Sequence, residues 1–214
     1  MTFAPKFLAS HSILALKDAK TSQTNANVVE LYLDYCCPFS KKLYLKWTQD
    51  VIPTIEHKLN RKFEFRLLHV PQPWHPSSAL MHEAALAVAE IDPGSFQDFS
   101  KALFENQDEF FDQGCYNKTR NQMYQELASL AEEVGVSADE VMSRLEIDVN
   151  SKGDSSLAKN IGNKVARDIK HFVRYHRQNG VHITPTVAVN GIILGNIGSG
   201  NTPDEVVELL GAAT

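Results

Sequence analysis

The chain has 214 residues, of which 43% are apolar and 22% charged, and its net charge is −5. This length fits one large domain or a small fold with a substantial insertion. The acidic balance argues against nucleic acid as a partner, and no apolar run approaches the roughly 20 residues that a membrane-spanning helix needs. The N-terminal residues have neither a signal-peptide core nor an arginine-rich presequence, so we expect a cytoplasmic protein.

The first third of the chain predicts a strand, a helix and a second strand. Residues 11–16 favour a short edge strand, and the apolar run at 28–34 is typical of a buried strand. A helix is expected over residues 38–59, with a kink or break at Pro53. Residues 62–70 predict the next strand, parallel to the strand at 28–34 because a helix connects the two.

The middle of the chain, residues 71–179, is predicted to be almost entirely helical after a proline-rich break. Apolar periodicity and a capping box at Ser137 place the helices. They are expected near 77–90, 95–111, 120–133, from 138 onwards, and over 155–178.

The last part of the chain returns to strands. Residues 183–189 and 192–194 are predicted to form a hairpin around Asn190-Gly191, which is a type I′ turn signal. Thr202, Pro203 and Glu205 then predict the N-terminus of a final helix.

Residues 35–40, Tyr-Cys-Cys-Pro-Phe-Ser, predict a thiol site. Cys37 follows a strand, and Pro38 suits the first turn of a helix. The free N–H groups and the dipole at a helix N-terminus favour a thiolate, so we expect Cys37 to be a nucleophile. The alternative is a buried cysteine that only fills space.

Ser40 stands where a C-x-x-C pair would have its second cysteine. An internal disulfide is then unavailable, and a second thiol such as glutathione has to complete the exchange. We expect the Ser40 hydroxyl to reach the Cys37 thiolate. The alternative is a residue that merely suits a first helical turn.

The other two cysteines, Cys36 and Cys115, are expected to lie outside the chemistry. Three cysteines are too few for a disulfide scaffold. Strand alternation predicts that Cys36 points away from Cys37 as a packed thiol, with a resolving role as the alternative. Cys115 lies in a loop of the helical block; the alternative is that it approaches the site across the interface between the two domains.

Trp74 and His75 follow the second parallel strand. The carboxyl ends of parallel strands lie on one side of a sheet, so we expect this loop to open onto the same edge as Cys37. An indole and an imidazole there would bind substrate and tune the thiolate. The alternative is a rigid connector with Trp74 packed into the helical block. No histidine or cysteine spacing indicates a metal site.

The element order, together with Cys37-Pro38-Phe39-Ser40 and Ile183-Thr184-Pro185-Thr186, resembles the DsbA-like branch of the thioredoxin superfamily. The stretches 33–40, 72–78 and 180–186 further resemble a group of fungal thioredoxin-like-fold proteins with a CPFS site. The resemblance implies an α/β, thioredoxin-like fold with an inserted all-helical domain. Its core would be residues 1–70 and 180–214, and the insertion residues 71–179.

The resemblance also implies a substrate site around Cys37. Pro185 would be a cis-proline that faces the thiol. The Thr184 backbone would then pair with an extended peptide or with glutathione, and Pro38 and Phe39 would lie beside it.

Three functions remain open at this stage. The first is a thiol-dependent oxidoreductase that exchanges disulfides or glutathione through Cys37 alone. The second is a glutathione transferase or isomerase that resembles the kappa class, in which Ser40 or Cys37 activates glutathione. The third is a non-catalytic binding module. We expect a thiol or disulfide substrate, with glutathione as a co-substrate and no bound cofactor. Neither nucleic acid nor a membrane is expected as a partner, and the sequence leaves the oligomeric state open.

Overall fold

The protein is built on a mixed β-sheet. The computed structural model describes residues 2–13, 26–59, 62–147 and 160–214. Within these residues the sheet has five strands, in the spatial order β1-β3-β2-β4-β5. The strands are β1 (Ser12–Ile13), β2 (Asn27–Leu33), β3 (Phe63–His69), β4 (Thr186–Val189) and β5 (Ile192–Ile193). β2 and β3 are parallel, as predicted, and the other pairs are antiparallel.

Helices surround this sheet. In chain order they are α1 (Leu8–His11), α2 (Pro38–Lys46), α3 (Ile52–Lys58), α4 (Ser78–Ile91), α5 (Phe96–Glu105), α6 (Asp112–Cys115), α7 (Arg120–Glu133), α8 (Ala138–Leu145), α9 (Ala166–Gln178) and α10 (Pro203–Ala212). Among the described residues, none of the helices is both long enough and apolar enough to cross a membrane.

The helix after the thiol site is not broken at Pro53, where a kink or break was predicted, but it has an irregular turn just before that residue. A π-helical turn, Trp47–Val51, joins α2 to α3, and the Ile52 N–H donates to the Trp47 carbonyl five residues back. Proline has no N–H, so the regular hydrogen-bond ladder has to be interrupted near it, and a wider turn absorbs that interruption. Trp47 is fully buried there, with its ring 6.0 Å from that of Phe65.

The edge strand expected over residues 11–16 is described as far as Ile13. Ser12 and Ile13 pair with β3 as expected, whereas His11 is the last residue of α1. Residues 14–16 of the prediction lie outside the described residues.

Two predicted helices begin or end elsewhere. The helix expected over 155–178 starts at Ala166; Gly162 has a φ of +83°, a left-handed conformation that interrupts a helix, and Ile161 is 68% exposed. Residues 148–159 lie outside the described residues. The helix expected over 95–111 is split into α5 and a 3₁₀ turn, Gln107–Phe110.

Local signals for turns and caps are confirmed in the last part of the chain. Asn190 and Gly191 have φ values of 50° and 82°, as a type I′ turn requires. Thr202 and Glu205 form the reciprocal capping box of α10. At α8, Ser137 accepts a bond from the Glu140 N–H without the return bond of a full box.

The hydrophobic core runs from the sheet into the helices of residues 71–179. Tyr35, at the end of β2, packs 4.9 Å from the ring of Phe104 in α5, and Phe172 of α9 packs 4.6 Å from His69 of β3. Tyr35, Phe104 and Phe172 belong to one continuous cluster of buried apolar residues. The division into a core of 1–70 and 180–214 and an insertion of 71–179 stays a prediction.

Candidate thiol site

Cys37 occupies the N-cap position of α2. Its backbone is extended (φ −89°, ψ 118°), Pro38 is the first helical residue, and the Lys41 N–H donates to the Cys37 carbonyl. Its side chain is turned inward, and the residue is 5% exposed. The sulfur lies 3.6 Å from the carbonyl oxygen of Thr184, to which the thiol donates. This sulfur therefore lies where three segments meet: the chain that follows β2, the N-terminus of α2 and the segment just before β4.

The Thr184–Pro185 peptide bond is cis, as the resemblance implied. The Thr184 carbonyl accepts from Cys37, whereas its N–H has no hydrogen-bond partner among the described residues. This free N–H beside the thiol is available to the backbone of an extended ligand.

Ser40 does not make the contact that was expected of it. Its side chain is fully buried and its oxygen accepts a bond of 3.2 Å from the Asp34 N–H. No hydrogen bond joins it to Cys37 in the described part of the chain. The hydroxyl instead closes the turn between β2 and α2, because it satisfies a backbone donor that would otherwise be buried without a partner.

Cys36 points into the protein. Its sulfur lies 3.2 Å from the Ser77 hydroxyl, 3.5 Å from the Phe110 carbonyl and 3.7 Å from the Met81 sulfur. Burial raises the pKa of this thiol to about 12. β2 already ends at Leu33, so the chain turn rather than strand alternation separates Cys36 from Cys37. These surroundings are those of a packed thiol.

Cys115 lies on the other side of the Phe110 carbonyl. Its sulfur is 3.5 Å from the same oxygen that Cys36 approaches, and it is half-buried. All three cysteines are free thiols.

Asp34 is a fully buried carboxylate three residues before Cys37, and sequence reasoning missed it. Its donors are the His75 Nδ1 (2.7 Å), the Ser78 hydroxyl (2.5 Å) and the backbone N–H groups of Cys36 (3.0 Å) and Gln72 (3.3 Å). The His82 Nε2 lies 3.4 Å from the carboxylate, within ion-pair distance but without a hydrogen bond to it. Burial by itself raises the pKa of Asp34, but His82, Ser78 and His75 more than offset it, so the pKa lies below its ordinary value. The feature of the sequence that could have indicated Asp34 is its position as an acidic residue directly after the buried strand β2.

A chain of buried histidines continues from Asp34. The Nδ1 atoms of His82 and His69 are 2.6 Å apart, the Nε2 atoms of His69 and His11 are 2.8 Å apart, and the His11 Nδ1 lies 2.7 Å from the Ser10 hydroxyl. His11 is stacked between Phe96 and Phe172, at 4.1 and 5.0 Å.

These histidines are joined by hydrogen bonds. In the described part of the chain, no three His, Cys, Asp or Glu side chains are placed to hold a metal ion. Spacing in the sequence does not indicate this chain, because the partners of His69 come from α1 and α4.

Three exposed apolar side chains come from the segments that form the site. Phe39 is 63% exposed, Trp74 59% and Ile183 65%. Phe39 follows Pro38 in α2, and Ile183 precedes Thr184. The alternative of a Trp74 packed into the helical block is wrong.

A small cavity of about 170 Å³ opens beside the helix N-terminus. Its wall is formed by Cys36, Pro38, His75, Pro76, Ser77, Phe110, Phe111 and Asp112. His75 and Pro38 thus line the same cavity, although His75 lies in the loop after β3 and Pro38 begins α2.

Comparison with known proteins identifies the fold. A scan against protein-family models and a search of curated proteins both find no match. Among solved structures, a putative protein-disulfide isomerase from Pseudomonas syringae is 21% identical with a TM-score of 0.66, over 87% of this chain and 94% of that one. Oxidised BdbD from Bacillus subtilis is 19% identical with a TM-score of 0.60, over 94% and 92%.

DsbA from Chlamydia trachomatis is 15% identical with a TM-score of 0.62, over 100% of this chain and 95% of that one. The likeness therefore extends along nearly the whole of each chain. The protein has the DsbA-like thioredoxin fold.

Proposed function

We propose that this protein is a thiol–disulfide oxidoreductase in which Cys37 is the only reacting cysteine. The observation that carries the proposal is the position of the Cys37 sulfur, at the N-cap of α2 and 3.6 Å from the carbonyl before cis-Pro185. The fold, shared with solved thiol-disulfide oxidoreductases, supports it. A helix N-terminus is a common position for a reactive cysteine, because its free N–H groups stabilise an anion.

The proposed reaction has two exchanges. The Cys37 thiolate attacks a disulfide R–S–S–R′, forms a mixed disulfide with R–S and releases R′–S⁻. A second thiolate R″–S⁻ then attacks the R sulfur, forms R–S–S–R″ and returns Cys37 to its thiolate. Ser40 has no sulfur to resolve the intermediate, and a thiol with a pKa of about 12 is a poor nucleophile at neutral pH, which argues against Cys36.

We propose glutathione as the second thiol and the cytoplasm as the setting, because glutathione is the main small thiol of that compartment. The enzyme needs no bound cofactor for these steps. We also propose kinship with the fungal thioredoxin-like-fold group with a CPFS site, on the strength of the stretches 33–40, 72–78 and 180–186.

The surroundings of Cys37 favour an extended peptide as the disulfide substrate. Phe39, Trp74 and Ile183 offer apolar contacts around the thiol, and the Thr184 N–H offers a backbone donor. Exposed aromatic side chains of this kind are typical anchors for a polypeptide ligand. Glutathione is small and polar, so it would bury less apolar surface against these side chains.

The test is exchange by Cys37→Ser, with Cys115→Ser as the matched control. Each variant is mixed with a peptide disulfide and reduced glutathione, and the mixed disulfide is located by peptide mass mapping. We expect turnover and the adduct to vanish in Cys37→Ser and to persist in Cys115→Ser. Full turnover by Cys37→Ser would refute the proposal.

A non-catalytic binding module is the second candidate, because Cys37 is 5% exposed while the apolar side chains around it are open to solvent. Peptide binding with an unreactive Cys37 would select it. The kappa-like transferase needs Ser40 or Cys37 to activate glutathione, and the Ser40 oxygen is already bound to the Asp34 N–H. Glutathione conjugation that persists in Cys37→Ser would select that alternative.

A further inference from the structure

His75 and Asp34 form a pair that the two exchanges described so far do not use. The His75 Nδ1 lies 2.7 Å from the Asp34 Oδ2, and the Asp34 side chain is fully buried while that of His75 is 24% exposed. The opposite ring nitrogen, Nε2, has no hydrogen-bond partner among the described residues. An imidazole held at one nitrogen by a buried carboxylate presents the other nitrogen for proton transfer.

The Asp34 carboxylate determines which nitrogen of His75 carries the proton. An ionised Asp34 only accepts hydrogen bonds, so the His75 Nδ1, at 2.7 Å from it, is the donor.

The same carboxylate therefore keeps a proton on the His75 Nδ1. When His75 is neutral, its lone pair is on Nε2; when it is charged, both nitrogens carry protons. His75 can thus accept or release a proton at Nε2 while its Nδ1 stays hydrogen-bonded to Asp34.

The cavity of about 170 Å³ brings His75 next to the helix N-terminus that carries the reacting thiol. His75 and Pro38 both line it, and Pro38 directly follows Cys37. The other titratable groups that face the cavity are Cys36 and Asp112. When the leaving group R′–S⁻ separates from the R sulfur on this side, the cavity gives it space next to the imidazole.

We propose that His75 is the proton-transfer group of exchange at Cys37 and that Asp34 is the positioning residue that orients it. This inference rests on the proposed function. In the first exchange, the S–S bond of R–S–S–R′ breaks, Cys37 bonds to R–S, and His75 gives its Nε2 proton to R′–S⁻. In the second, His75 takes the proton of R″–SH as that sulfur attacks the mixed disulfide. The sum is R–S–S–R′ plus R″–SH giving R–S–S–R″ plus R′–SH, so no further reactant is needed.

The test compares two leaving groups in single-turnover reactions of Cys37. An aromatic disulfide with a strongly acidic leaving thiol needs no proton, whereas glutathione disulfide releases an alkyl thiol that does. We expect His75→Gln to slow the reaction with glutathione disulfide by about tenfold to a hundredfold, and the aromatic reaction by less than about twofold. The matched control is His182→Gln, an exposed histidine without a carboxylate partner, which should change neither rate.

The outcomes separate this inference from the function on which it rests. Equal losses with both disulfides, or no loss with either, overturn the role of His75 while Cys37 chemistry stands. A wild-type Cys37 that fails to react even with the aromatic disulfide overturns the proposed function as well.

Asp34 is tested by a double-mutant cycle. If Asp34→Asn acts through His75, adding it to His75→Gln causes no further loss with glutathione disulfide. Additive losses overturn its positioning role. Thermal unfolding of each variant shows that the folded protein is being compared.

Discussion

The Nε2 atoms of His11 and His69 lie 2.8 Å apart in the protein interior, although the two residues are 58 positions apart in the chain. Both side chains are fully buried. Burial lowers the pKa of His11 to about 3 and the pKa of His69 well below its usual value. The pair is therefore uncharged at neutral pH.

Acid should destabilise the protein through this pair. Below about pH 6.5 the unfolded chain protonates both histidines while the folded protein does not, so the free energy of unfolding falls as pH falls from about 6.5 towards 3. Each histidine contributes about 1.4 kcal/mol per pH unit well inside that window. We expect His11→Gln to reduce the slope between pH 6 and pH 5 by about one proton, measured by urea unfolding.

His182→Gln, which removes an exposed histidine, is the control and should leave this slope unchanged. Asp34 also loses stabilising interactions in acid, since its pKa lies below its ordinary value of 3.8, but only at lower pH than the measured range. An unchanged slope in His11→Gln would show that His11 titrates in the folded protein.

Ser40→Ala should affect stability far more than chemistry. The Ser40 oxygen accepts from the buried Asp34 N–H, which the substitution leaves without a partner. We expect a loss of about 1–3 kcal/mol in the free energy of unfolding, measured with urea. The rate of Cys37 reaction with an aromatic disulfide should change by less than about twofold. A large loss of rate with unchanged stability would contradict this expectation and would support the hydroxyl–thiolate contact predicted from the sequence.

The two cysteines near the Phe110 carbonyl should differ in reactivity. Burial raises the pKa of Cys36 to about 12, so at pH 8 almost none of it is thiolate. We expect iodoacetamide to label the half-buried Cys115 and to leave Cys36 unmodified in the folded protein, read by peptide mass mapping. In denaturant both should be labelled, which serves as the control. Rapid labelling of Cys36 in the folded protein would contradict its packing against Ser77 and Met81.

Trp74→Ala should separate a peptide substrate from a small one. Trp74 is 59% exposed, with its ring 6.1 Å from that of His75, so its removal costs little stability but takes away an apolar contact surface. We expect the KM for an apolar peptide disulfide to rise about tenfold, corresponding to about 1.4 kcal/mol, and the KM for glutathione disulfide to stay within twofold. Tyr116→Ala, at an 82% exposed tyrosine in the helical part, is the control. Equal changes for both substrates would argue against a peptide.

Local chemistry in the sequence predicted much of the fold. Proline at the first turn of α2, the Asn190-Gly191 turn and the Thr202 capping box depend on residues next to one another, and the structure confirms all three. The cis bond before Pro185 followed from the resemblance. Where a local preference competed with its surroundings, the sequence was a weaker guide. Pro53 is accommodated by a π turn, and Gly162 delays the start of α9.

The surroundings of the thiol depended on the tertiary structure. The sequence by itself identified Cys37 as the candidate thiol, because a strand, a cysteine and a helix-opening proline are contiguous. It did not indicate that Ser40 would bind the Asp34 N–H, nor that His75 would bind the Asp34 carboxylate. The histidine chain joins α1, β3 and α4, and only the packing of the helices against the sheet brings those segments together. A pattern in sequence shows which residues share an element, whereas burial and hydrogen bonding between elements are decided when the elements pack.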